Sequence, residues 1–352
     1  MSRKITLEEI AKLAGVNAST VSRVLHAKKG STISRSVQEK IWKLCNELNY
    51  RPNTAARTVV TGKTYRVGFI LDKIQNDLSS PVFGNIIKGI CGKLQEQNYT
   101  LSLLWTGKSG SSKDAQIRDF LMSEVADCYI LTPSMINSPI EKTIKARNYP
   151  IIYLAENSDY IPDGIPGVQL DIIPAYKKLL KSIPSEWYGK ILYTGIRESK
   201  KKVSDLLSAM SESGIPENAV KIHLYKPVEL NFSFDRWAAS EFARKNINLL
   251  KQQKLIWCAS DLTALGIADV LEENGIVPGK DIALIGYDNI AELVPFNGKP
   301  FLTTIHPRQS ELGEMTAEMA LEAVSGNLIM PNRKLEGKII FRESYKKQQK
   351  KR

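Results

Sequence analysis

The residues best placed to do chemistry in this chain of 352 sit on one short helical pattern near its start. In Ala18-Ser19-Thr20-Val21-Ser22-Arg23-Val24-Leu25, a helical period turns Val21, Val24 and Leu25 to one side. Ala18, Ser19, Ser22 and Arg23 are left facing away from that side, toward the N-terminal end. Small polar side chains and one guanidinium at such an end suit base edges and phosphates in a DNA major groove. That is recognition chemistry.

Those residues need a frame. Thr6 and Glu9 have the spacing of a capping box, predicting a helix with Leu7, Ile10, Ala11 and Ala14 on one face. Ala14-Gly15-Val16 predicts a tight turn with Gly15 at positive φ, and Asn17 can cap the second helix. Ser34 is predicted to cap a third helix carrying Val37, Ile41, Leu44 and Leu48. After Tyr50-Arg51-Pro52, the stretch Asn53–Val60 has too few large apolar groups to fold alone and reads as a hinge running to Gly62. The charge supports the same reading. Residues 1–64 hold 12 basic and 4 acidic side chains, a formal +8 out of +12 for the whole chain. Residues 342–352 hold 6 basic and 1 acidic, and the long middle is close to neutral. A compact basic segment is the footprint of a phosphate-binding module, whereas the end from Tyr345 reads as a solvated basic tail.

Catalytic patterns fail where they are sought. Gly107-Lys108-Ser109 and Gly62-Lys63-Thr64 imitate the end of a phosphate loop, but the required earlier glycine is Ser102 or Arg57. There is no Gly-x-Ser-x-Gly, no His-Glu-x-x-His, and His26, His223 and His306 lie in separate segments. No catalytic residue, metal site or cofactor is expected. The N-terminus lacks the apolar stretch of a secretory signal, and no apolar run reaches the roughly 20 residues of a membrane helix. Cys45, Cys91, Cys128 and Cys258 are scattered without a Cys-x-x-Cys pair. A chain working in a reducing cytoplasm is expected.

From Tyr65 onward, short apolar runs alternate with helical patterns: Val67–Leu71, Leu101–Leu104, Cys128–Leu131, Ile151–Leu154, Ile191–Tyr193, Leu255–Cys258 and Ile282–Tyr287. Such alternation predicts parallel sheets covered by helices, and its length suggests two lobes.

The stretch Thr6–Leu25 closely resembles the headpiece of the lactose-repressor-like (LacI/GalR) regulators, and Leu48–Asn53 with Ala56-Arg57 resembles their entry into a hinge helix. Ser260–Gly266, Ile285–Asn289, Leu302–Pro307 and Phe341–Ser344 are similar to their sensor domain. The resemblance implies an α/β protein with an all-α helix-turn-helix headpiece and a two-lobed, type I periplasmic-binding-protein-like sensor with parallel sheets. It implies a headpiece at 1–49, a hinge at 50–64, a sensor at 65–341 and a basic tail at 342–352. Lobe 1 is expected at about 65–165 and 307–326, and lobe 2 at about 166–306 and 327–341.

The same resemblance implies double-stranded operator DNA and a small-molecule effector, a sugar or sugar derivative, as partners of a homodimer or a dimer of dimers. It carries DNA contacts over to Thr6, Ala18, Ser19, Thr20, Ser22 and Arg23, and to Asn53, Ala56, Arg57 and Val59 in the hinge. Val59 stands where the family uses a Leu wedge between base pairs. Expected ligand contacts are Phe83, Glu156, Arg197, Lys202, Phe232, Ser260 and Asp288. Here Glu156 replaces a common Arg, Lys202 replaces the effector-binding Arg, and Asp205 stands at the usual Gly. Arg197 is the candidate for the missing guanidinium fork, and Phe234 and Trp237 accompany Phe232 as stacking candidates. The rival readings, a solute-binding protein or an enzyme on the same α/β domain, lack a leader and a catalytic set respectively.

Overall fold

Local chemistry starts the chain as expected. Thr6 caps the helix α1 (Leu7–Ala14) through a complete capping box with Glu9, and Gly15 ends it at φ 72°. Helices α2 (Ala18–His26) and α3 (Arg35–Glu47) follow, then α4 (Thr54–Thr61). Ile10, Val21 and Ile41 are fully buried at the centre of the first three. Lys40 Nζ donates to Ala14 O at 2.9 Å, satisfying a carbonyl at the end of α1. Ser34 precedes α3, but its hydroxyl lies 3.2 Å from Ser36 Oγ and caps no backbone amide.

The computed structural model describes residues 5–26, 33–51, 54–72, 80–107, 111–155, 161–226, 232–290 and 296–345. They form two compact units, residues 1–65 and 66–352. Among the described residues no helix is long and apolar enough to cross a membrane.

In the second unit, strands and helices alternate. The first sheet contains β1 (Arg66–Asp72), β2 (Thr100–Thr106), β3 (Cys128–Leu131), β4 (Ile151–Ala155) and β5 (Gly167–Asp171). Helices α5 (Pro81–Gln95), α6 (Ser111–Met122) and α7 (Ser138–Arg147) connect them. After α8 (Ile173–Leu180), a second sheet is built from β6 (Ile191–Ile196), β7 (Val220–Tyr225), β8 (Leu255–Cys258), β9 (Ala283–Tyr287) and β10 (Thr303–His306). Its connecting helices are α9 (Lys200–Glu212), α10 (Phe232–Lys245), α11 (Ile247–Leu250) and α12 (Asp261–Glu273). The chain returns to the first lobe for α13 (Gln309–Val324) and β11 (Arg333–Glu336), and ends in the second with β12 (Lys338–Ile340). The strand orders are β11-β5-β4-β3-β1-β2 and β12-β10-β9-β8-β6-β7, with only β12 antiparallel.

Two expected boundaries move. Residues 167–171 and 333–336 belong to the first sheet, so the chain changes lobes near 172 and 337, not at 166 and 327. β11 is a charged edge strand with only Leu335 buried, so alternation could not announce it. The expected tail also begins too early. Ser344 Oγ donates to Leu284 O and accepts from Thr303 N, each at 2.7 Å, while the buried Tyr345 donates to Ser182 O at 2.7 Å. Residues 342–345 therefore close the second lobe, and 346–352 lie outside the described residues.

Candidate DNA-reading and effector-binding sites

On α2 the burial follows the helical period. Val21 and Val24 are buried; Ser19 and Arg23 are exposed; Ala18, Thr20 and Ser22 are half-buried at the edge. Asn17 O accepts from Thr20 N and Val21 N, so the first turn is held by backbone. Thr6 is exposed but occupied as the cap of α1. In α4 Ala56 is exposed and Arg57 half-buried, while Val59 and Val60 are 86% and 85% exposed, two apolar side chains left open among the described residues. Asn53 lies outside the described residues.

The second lobe gathers charge at the carboxyl ends of its strands, where open α/β sheets bind ligands. Asp288 follows β9 at φ 111°, and Asn289 follows at φ 56°, two consecutive backbone conformations that side chains rarely adopt. Cross-links hold them there. Asp288 N donates to Ile305 O at 2.9 Å, Asn289 N to Thr304 Oγ1 at 3.2 Å, and Arg342 Nη2 to Asn289 Oδ1 at 2.8 Å. Gln309 Nε2, at the start of α13 from the first lobe, donates to Asp288 O at 2.7 Å.

Lys202, in the first turn of α9, serves three groups. Its ammonium donates to Ala259 O at 2.8 Å, lies 3.7 Å from the centre of the Tyr287 ring, and sits 3.8 Å from Asp288 Oδ1. Burial pushes the Asp288 carboxyl up to about 6, with Lys202 opposing and Asp235 adding to the rise. Ser260 caps α12 by accepting from Thr263 N at 3.0 Å, and its hydroxyl donates to Asp235 Oδ2 at 2.9 Å. Burial raises Asp235 as well, against the pull of Ser260 and Lys202. Asp261 lies underneath, accepting from Thr304 Oγ1 at 2.6 Å and Ile290 N at 2.7 Å. Burial and then Asp288 push it up to about 8.

Of the expected ligand residues, Lys202, Ser260 and Asp288 thus meet in one cluster. Arg197 is exposed, in a short turn after β6, and enters none of these bonds. Phe83 is 5% exposed, its ring 5.6 Å from Phe69 in the first lobe, while neighbouring Val82 packs on the apolar core of the second. Glu156 and the side chains of Phe232 and Phe234 lie outside the described residues, and Trp237 is 49% exposed on α10. Asp235 and Gln309 were missed. Nothing in their local sequence marks them, since each reaches the cluster only through the fold. A separate cavity of about 490 Å³ beside α8, lined by Asp171, Lys177, Lys181 and Glu212 among others, contains none of these residues.

The cluster offers carboxylate acceptors and one ammonium donor, and among the described residues no group of His, Cys, Asp or Glu could hold a metal. Its acceptors and its donor can hold hydroxyls and amines. The description for bacterial regulatory proteins of the lacI family matches residues 6–53, and that for periplasmic binding proteins and the sugar binding domain of the LacI family matches residues 64–343. An HTH-type transcriptional repressor PurR of Vibrio parahaemolyticus is 29% identical over 337 residues, spanning 91% of this chain and 92% of the relative. The lac repressor dimer bound to operator and the anti-inducer ONPF aligns with a TM-score of 0.71 at 18% identity, covering 98% of this chain and all of that one. The complex of the transcriptional regulator CelR with cellobiose aligns at 0.60 and 21%, covering 97% and 100%. The chain belongs to the lacI family of bacterial regulatory proteins, whose members bind operator DNA and small-molecule effectors and act as dimers.

Proposed function

We propose that this protein is a cytoplasmic transcriptional repressor whose grip on its operator is set by a sugar or sugar derivative bound between the sensor lobes. Ser19, Ser22 and Arg23 read the major groove, with Ala18 and Thr20 at the edge of that surface and Thr6 at its flank. The hinge residues Asn53, Ala56, Arg57 and Val59 enter the minor groove between two half-sites. The observation that carries the effector reading is the Lys202–Asp288–Asp235–Ser260 cluster at the strand ends of lobe 2. A polyol places several hydroxyls within a few ångströms, and paired acceptors with a fixed donor suit that pattern. Phe83, Glu156, Arg197 and Phe232 complete the cleft in this reading, and the neighbouring structure with cellobiose supports the ligand class. Effector binding between lobes shifts the dimer between two geometries, so effector and DNA must change each other's affinity reciprocally.

The experiment is a thermal-shift screen of the full chain against mono- and disaccharides and free nucleobases, because a ligand that binds only the folded state raises its melting temperature. A sugar that raises it and also changes operator affinity supports the reading. A response to a nucleobase alone would replace the ligand class while leaving the regulator intact.

A further inference from the structure

The hinge helix α4 should not hold by itself. It has eight residues, five of them Thr or Val, whereas an isolated helix needs roughly 12–15 residues even with good helix formers. Val59 and Val60 are exposed and supply no packing. Support comes from the reversal that follows. Gly62, at φ 67°, donates its N–H to Thr58 O at 2.8 Å, Thr61 Oγ1 donates to Arg57 O at 2.8 Å, and Lys63 N donates to Thr61 Oγ1 at 3.3 Å. The turned chain then brings the Tyr65 ring against Arg57, whose guanidinium carbon lies 3.2 Å from the ring centre. Tyr65 itself sits at φ 55°. A bulky residue in the left-handed region is strained, and such a conformation persists where surrounding contacts demand it.

We infer that Tyr65 is a positioning residue for operator binding: its ring holds Arg57 and braces the hinge helix that presents it. A guanidinium stacked by its face keeps its N–H edge open to a phosphate or a base, so the contact aims Arg57 without consuming it. The inference rests on the reading that the hinge helix enters the operator.

The test uses the full chain and a duplex selected from a random pool by the wild-type protein, with affinity read by fluorescence anisotropy. Tyr65→Phe keeps the ring, Tyr65→Leu keeps apolar bulk without a π face, and Arg57→Gln removes the cation. A cation–π contact at an exposed site is worth about two- to fivefold per hinge, hence about five- to thirtyfold in a dimer. Tyr65→Leu should lose that much, Tyr65→Phe should bind within about twofold of wild type, and Tyr65→Leu should cost nothing further in the Arg57→Gln background. Sensor melting should be unchanged in all. Wild-type binding by Tyr65→Leu, an equal loss in Tyr65→Phe, or an undiminished loss beside Arg57→Gln overturns the inference. Wild-type binding by Arg57→Gln would instead remove the hinge contact on which it rests.

Discussion

The headpiece and the second sensor lobe put their polar groups in opposite places. In the headpiece Ser19 and Arg23 are exposed above a core of Ile10, Val21 and Ile41. In lobe 2 the carboxyls of Asp261 and Asp288 are buried among strand ends and held by Thr304, Ile290 and Lys202. An exposed contact residue costs the fold nothing and shows its worth only when the partner arrives. A buried charge is part of the fold, because an unpaired one is expensive. The two regions should therefore answer to mutation differently: affinity alone in one, stability and pH dependence in the other.

The largest expected effect tests the buried side. Lys202→Met leaves Asp288 without its ammonium and should destabilise the sensor by about 3 kcal/mol at pH 8 in urea titrations. Asp288 titrates near 6, above the ordinary carboxylate range, so the folded state holds that proton more tightly than the unfolded chain. Its contribution is fully present below about pH 4 and is lost as pH rises through 6. Removing Lys202 steepens that loss, so the penalty should shrink markedly by pH 5. A penalty of equal size at pH 5 and pH 8 would show that Lys202 serves Ala259 and Tyr287 and not the charge of Asp288.

The contrast also explains what the sequence could disclose. The headpiece was legible because its causes are local: Thr6 and Glu9 are three apart, Gly15 makes its own turn, and the apolar stripe repeats along a single helix. Ser34 is the local exception, its hydroxyl facing the Ser36 hydroxyl and capping no backbone amide of α3. Central strands such as Cys128–Leu131 announced themselves by unbroken apolar runs. Three of the four edge strands did not: β7, β11 and β12 mix charged and apolar residues, and one lobe boundary moved with β11. In the site, Lys202, Ser260 and Asp288 came from resemblance. Asp235 and Gln309 had no motif, because a bond across 25 residues to Ser260 or 21 to Asp288 exists only once the sheets have formed.

The exposed side is tested next. Arg23→Ala should weaken operator binding by roughly 1–3 kcal/mol, about five- to 150-fold, while the melting curve of the sensor stays in place. Unchanged affinity in a gel-shift titration would remove Arg23 from the reading surface. Thr6→Ala sits between the two kinds of residue, since Thr6 is exposed yet caps α1. It should cost the headpiece about 1 kcal/mol, seen as faster hydrogen exchange along Leu7–Ala14, and Thr6→Ser should restore the protection. Equal exchange in all three proteins would mean that packing alone holds α1.

The smallest effect gives the sharpest test of the exposed surface. Val59 has 86% of its surface open, so a change there takes little packing from the described residues and should act mainly through DNA. Val59→Leu adds one methylene to the proposed wedge, worth at most about 0.8 kcal/mol if the unstacked bases cover it fully. Operator binding should tighten modestly and the bend should grow, because a longer wedge opens the base step further. Val59→Ala should reduce both. Circular-permutation gel shifts on one operator measure the bend, and sensor melting should not move in either variant. If the bend is the same with Ala, Val and Leu, position 59 does not enter the duplex. The exposed valine pair would then be a surface of the linker, and the division between affinity and stability would hold for α2 but not for α4.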